Sequence, residues 1–129
     1  MAKKNKTETN NESLPTQDEV KMFDILYPMI KGDLEEIREL SKKKQDEPLN
    51  ELKVKIINKK LKKAKSILKN ETTIEFLDLL NEETLPTNSD AVLQISQFIN
   101  ALKKFREKFY VAKGITKIDF MQHEWETKD

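Results

Sequence analysis

A chain of 129 residues is long enough for one domain and one hydrophobic core, and its formal net charge of +1 hides 36% charged residues against 36% hydrophobic ones. Two glycines and four prolines are too few turn residues for a barrel or sandwich of many short strands, so the balance favours amphipathic helices. The absence of cysteine excludes disulfides, thiolate metal sites and a cysteine nucleophile, and fits a reducing compartment.

Residues 1–14 are polar and lack periodicity, and are expected to form a disordered tail. The lysines near the start are followed by no apolar h-region, and the cluster MFDILYPMI at 22–30 is broken by Asp24 and too short to span a membrane. A cytoplasmic protein is the expectation. Thr16 and Glu19 have capping-box spacing, which starts a first helix near residue 17. Val20, Phe23, Leu26 and Ile30 share one face of it, and Ile37 and Leu40 continue the stripe to about residue 45. Pro28 lies inside the pattern and predicts a kink, because its ring removes one backbone bond, and Gly32-Asp33 is a second weak point.

QDEPLN at 45–50 reads as a turn with Pro48 opening the second helix, roughly 48–69. Thr72 and Glu75 offer a cap for a short third helix over about 73–80, whose Ile74, Phe76, Leu77, Leu79 and Leu80 are apolar nearly all round and therefore expected to be buried. After a loop at 81–89, Thr87 and Asp90 cap the last helix. There Ala91, Ile95, Phe98, Leu102, Phe105 and Phe109 repeat every four and three residues, with Val92 and Ile99 widening the face, and Gly114 is the expected stop. The segment ITKIDFMQHEWETKD fits either a strand-like arm or a short helix with Ile118, Met121 and Trp125 in register.

The short connections favour an all-α antiparallel bundle of three long helices, the first kinked, plus one short helix. The expected organisation is a tail at 1–14, a helical domain at 15–113 and a C-terminal arm at 114–129.

Charge is arranged in blocks. Residues 53–69, KVKIINKKLKKAKSILK, hold eight lysines and no acid; residues 70–102 hold six acids and no base; residues 103–117 are basic again. At 100° per residue, Val54, Ile57, Leu61, Ala64 and Leu68 gather on one side of the lysine segment, with Lys55, Lys59, Lys62, Lys63 and Lys69 opposite and Lys53, Lys60 and Lys65 at the flanks. A bundle helix needs this layout even if nothing binds its outer face. The functional alternative is a stripe that tracks phosphates, with Lys55, Lys59, Lys62 and Lys63 as its residues. Against it stand a pI near 7.8, only two arginines (Arg38 and Arg106) to read guanine edges, and no aromatic ring among the lysines to stack on bases. A membrane-surface role would compete with the core for the same apolar face.

Catalytic apparatus is hard to assemble from these residues. His123 is the sole histidine, and HEWET at 123–127 lacks the second histidine of HExxH. A helical di-iron site needs two histidines. The carboxylate pairs Glu35/Glu36 and Glu82/Glu83 are sequence neighbours that diverge on a helix or decorate a loop, and no glycine-rich phosphate loop occurs. No catalytic residue, metal site, cofactor or small-molecule substrate is therefore expected. Phe120 and Trp125 fall in a segment too polar to form a core of its own, so they either fold back over the helices or anchor a partner. The expectation is a non-enzymatic helical interaction protein, an adaptor or small subunit, whose protein partner sits on residues 103–125 or on the acidic stretch 71–90. Self-association and backbone-directed nucleic-acid binding are the alternatives.

Overall fold

The computed structural model of the chain describes residues 14–115 and 121–129. Three helices, α1 (Gln17–Lys44), α2 (Glu51–Ile67) and α3 (Asn88–Phe109), make up most of it. A 3-10 turn at Thr72–Phe76 lies between α2 and α3, and α3 runs directly into a hairpin of β1 (Tyr110–Ile115) and β2 (Met121–Trp125). The expected all-α class is thus corrected to a mostly helical fold with a short strand pair. The expected disordered tail falls, at 1–13, outside the described residues, while Leu14 packs against the core and Pro15 is buried.

The capping box at the start of α1 is present: the Thr16 hydroxyl accepts from the Glu19 amide at 3.1 Å and the Thr16 amide donates to Glu19 Oε1 at 3.0 Å. The helix runs unbroken through Pro28 and Gly32, both exposed. Val20, Phe23, Leu26, Ile30, Leu34 and Ile37 are buried along its length, so the burial of one continuous stripe outweighs the bond that Pro28 cannot make.

The second helix starts three residues later than Pro48 suggested. Asn50 is its cap, accepting from the Lys53 amide at 3.2 Å. Pro48 instead forms an isolated bridge with Thr87, because the 45–50 turn is drawn against the loop before α3. The Leu49 amide donates to Pro86 O at 2.7 Å, Asn88 N to Glu47 O at 2.8 Å and Ser89 N to Gln45 O at 3.1 Å. Of these groups, Glu47 O is the carbonyl that would accept the first bond of a helix beginning at Pro48, and Asn88 N occupies it instead.

No short α-helix forms at 73–80. Only the 3-10 turn Thr72–Phe76 is regular, its cap position is Glu71, whose side chain makes no capping hydrogen bond, and Phe76 is 65% exposed rather than buried. Leu77 and Leu80 are buried. The reason lies in α2: buried Asn58 donates to Leu80 O at 2.8 Å and accepts from Leu80 N at 3.0 Å, satisfying both backbone groups without a helix. The segment runs along α3, held by the Lys108–Glu71 ion pair at 3.3 Å and by Gln94 Nε2 donating to Leu79 O at 3.5 Å.

The α3 face is as the spacing predicts. Thr87 accepts from the Asp90 amide at 3.1 Å, and Ala91, Ile95, Phe98, Leu102, Phe105 and Phe109 are all buried. The helix stops at Phe109, not Gly114: Tyr110 is extended (φ −103°, ψ 92°) and pairs with Trp125 across the hairpin. Tyr110-Val111 is β-favouring, and the partner strand supplies the hydrogen bonds that a further helical turn would have made. Register continues as Val111 with Glu124, Ala112 with His123 and Lys113 with Gln122, then slips before Ile115 with Met121. α1 packs most extensively on α3, then on α2, so the side chains of all three helices join one apolar cluster.

Candidate functional site

The lysine helix is oriented as its sequence predicts. Lys55, Lys59, Lys62, Lys63 and Lys69 are exposed, Lys53, Lys60 and Lys65 are half-buried, and Val54, Ile57, Leu61, Ala64 and Leu68 are buried. Its positive charge is partly neutralised by α1: Lys53 meets Glu36 at 3.2 Å, Lys60 meets Asp33 at 2.7 Å and Lys69 meets Glu19 at 2.6 Å. Lys55 pairs with Glu51 one turn earlier, at 3.3 Å. Of the four lysines singled out for nucleic acid, Lys59, Lys62 and Lys63 have no carboxylate partner among the described residues.

The two aromatic residues of the C-terminal arm part company. Phe120 lies outside the described residues. Trp125 is half-buried and packed on the core, its ring 5.1 Å from Phe23 in an edge-to-face contact, 6.0 Å from Phe105 and 5.3 Å from Tyr110. The hairpin brings it there by pairing Trp125 with Tyr110, the residue that follows α3.

Two surface features escape the sequence reading. One is a groove of about 290 Å³ between the 3-10 turn and α3, lined by Thr73, Phe76, Leu77, Gln97, Ala101 and Lys104. Phe23, Phe98, Phe105 and Phe109 are buried, but Phe76 stands open beside this groove, and Leu93, 60% exposed, occupies the same α3 stripe as Gln97. The periodicity of residues 74–80 pointed to burial, so nothing in the sequence marked Phe76 as open. The other is a cleft of about 600 Å³ where α1, the end of α3 and β2 meet, lined by Tyr27, Lys103, Arg106, Glu107, Tyr110 and His123. The three-and-four spacing of Lys103, Arg106 and Tyr110 is visible in the sequence, but the cleft they line with His123 is not. His123 stacks on Tyr110 at 5.4 Å, and the Arg106 guanidinium lies 5.2 Å from the centre of the same ring.

Among the described residues no three of His, Asp and Glu gather in a group that could hold a metal ion, and no helix is long and apolar enough to cross a membrane. No protein-family model, curated protein or solved structure matches the chain.

Proposed function

We propose that the protein is a non-catalytic interaction module, an adaptor or small subunit, that takes a basic amphipathic segment of a protein partner into the groove beside Phe76. The observation that carries this is the 65% exposure of Phe76 against the burial of Phe23, Phe98, Phe105 and Phe109. An exposed aromatic ring next to an apolar groove is the composition of a binding hot spot rather than of a solvated turn. The charge of the partner is argued from the chain on either side of the ring: Glu75 and Asp78 are exposed and have no basic partner among the described residues, and they outnumber Lys104, the one charged residue that lines the groove.

The scaffold behind the groove is read as a bundle with α1 and α2 antiparallel. Its support is the order of the ion pairs: Glu19, Asp33 and Glu36 ascend along α1 while their partners Lys69, Lys60 and Lys53 descend along α2. Such a frame leaves the 71–80 segment on the outside of α3, where a helix or extended segment of a partner can lie along it.

The test is selection of a displayed random-peptide library on the full chain, with counter-selection on Phe76→Glu. Peptides rich in Lys or Arg with spaced apolar anchors, losing at least about tenfold in affinity on the variant, are the expected result. Enriched peptides that bind the variant equally, or no enrichment at all, would sink the reading. Sedimentation equilibrium of the same two proteins separates a second copy of the chain from a different partner.

A second reading, phosphate-backbone binding, draws on Lys59, Lys62 and Lys63 being exposed and without carboxylate partners. Three engaged lysines give a log–log salt slope of about −2.7 on duplex DNA. A slope near zero, or one unchanged by replacing the three with glutamate, removes it.

A further inference from the structure

We infer that the cleft between α1, α3 and β2 is a nucleotide-binding site, holding a planar base against its aromatic walls and a phosphate on Lys103 and Arg106. Its size of about 600 Å³ lies within the usual range for small-molecule pockets. It adjoins a second depression of about 510 Å³ that shares Tyr27, Arg106 and Tyr110 and extends to Trp125.

The walls are rings held in place by other rings. Tyr27 stacks on buried Phe23 at 5.5 Å with the planes 7° apart, so its position is set by the core. His123 stacks on Tyr110 at 5.4 Å, and Tyr110 in turn leans on Trp125 at 5.3 Å. Stacking against such surfaces favours any planar base and needs no hydrogen-bond code.

The cations complete the chemistry. Lys103 and Arg106 sit one turn apart on α3, both exposed, and neither has a carboxylate partner among the described residues, although Glu107 lines the same cleft and Asp24 the next depression. The guanidinium is placed by its contact with the Tyr110 ring, which leaves its N–H edge free to donate in the forked geometry that suits a phosphate. An apolar ligand would have no use for two cations, and a bare anion none for the ring walls. A duplex keeps its bases stacked inside and cannot use the walls, so the ligand is either a free nucleotide or one unit of a single strand.

Trp125 is the only tryptophan and touches Tyr110, so its fluorescence reports on the cleft. The full chain is titrated with adenosine monophosphate, adenosine, inorganic phosphate, a short single-stranded oligothymidylate and a duplex, with equilibrium dialysis alongside so that binding silent in fluorescence is still counted. The expected result is saturable binding of the monophosphate or the single strand, with adenosine and phosphate each weaker by about tenfold or more. Arg106→Ala and Lys103→Gln each weaken binding by a similar factor, and because both positions are exposed their unfolding midpoints stay near the parent's. Tighter binding of the strand than of the monophosphate identifies a single strand as the source, and the reverse identifies a free nucleotide. Adenosine binding as well as its monophosphate, a duplex binding as well as the single strand, or variants that bind like the parent would each overturn the proposal, as would no binding in the millimolar range.

Discussion

Two asparagines are the buried polar residues of the described chain, and they are not equally well satisfied. Asn58 sits mid-helix, where asparagine has no intrinsic advantage, and is 2% exposed. Its carboxamide serves Leu80 at both backbone groups and also donates to Glu82 Oε2 at 3.0 Å, so one side chain does what a neighbouring strand would do for an irregular segment. Asn88 donates to Lys44 O at 2.8 Å, closing the end of α1, but its Oδ1 has no hydrogen-bond partner among the described residues. Removing Asn58 leaves two buried backbone groups unpaired, each worth about 1–3 kcal/mol. Asn58→Ala is therefore expected to cost about 2–4 kcal/mol, and Asn88→Ala about half that or less. Urea midpoints at unchanged m-value check this, and equal losses for the two variants would show that the Leu80 clamp is not what fixes the segment.

At the scale of elements, the start of α1 is tied to the end of α2 through one carboxylate. Glu19 accepts from the Thr16 amide and from Lys69 at 2.6 Å. Burial pushes its carboxyl up, but the hydrogen bonds from Lys69 and Thr16 and the charges of Lys69 and Lys128 outweigh that, holding it below its ordinary value of 4.5. A carboxylate held lower in the folded state stabilises fully above its ordinary value, and that stabilisation is lost as pH falls from about 4.5 through the lower folded value. Glu19→Gln keeps an oxygen for Thr16 and removes the charge. With Lys69 largely solvated, the expected loss at neutral pH is below about 1 kcal/mol, and the fall in stability on the acid side becomes shallower. An acid limb superimposable on the parent's would refute the assignment. The sequence displayed these elements well where local spacing decides them: the caps at Thr16 and Thr87, the α3 seam, and the arc of outward lysines on α2 all follow from period and capping chemistry. It failed where a distant group decides. Residues 73–80 have an apolar pattern that a buried helix and a pinned extended segment satisfy alike, and the choice is made by Asn58, 22 residues before Leu80 in the chain. The end of α3 was misplaced because the hydrogen-bond partner of Tyr110-Val111 lies in residues 124–125, beyond any local window. The cleft was hidden for the same reason, since Lys103, Arg106 and Tyr110 gain meaning only once β2 brings His123 beside them.

At the scale of the whole molecule, the two ends of the described chain are stitched together. The Glu126 amide donates to Phe109 O at 2.8 Å, Lys128 N to Pro15 O at 2.9 Å, and the Gln17 amide, in the first turn of α1, donates to Asp129 Oδ1 at 2.9 Å. That carboxylate lies at the positive end of the α1 dipole, which favours it there. Trp125 anchors the same closure by packing on Phe23 of α1 and Phe105 of α3, so the hairpin shares its core contacts with two helices instead of standing alone, as an isolated hairpin could not. Hairpin and helices are therefore expected to unfold as one unit. Trp125 fluorescence reports the hairpin and far-UV circular dichroism reports the helices, and their urea curves should superimpose. Trp125→Ala should lower the helical midpoint as well, by about 2 kcal/mol for a half-buried ring stripped of its aromatic neighbours. A fluorescence midpoint that falls well below the helical one, together with helices indifferent to Trp125→Ala, would make the hairpin a separate flap. The cleft between α1 and β2 would then open and close independently of the helical fold, and ligand binding there would have to hold it shut.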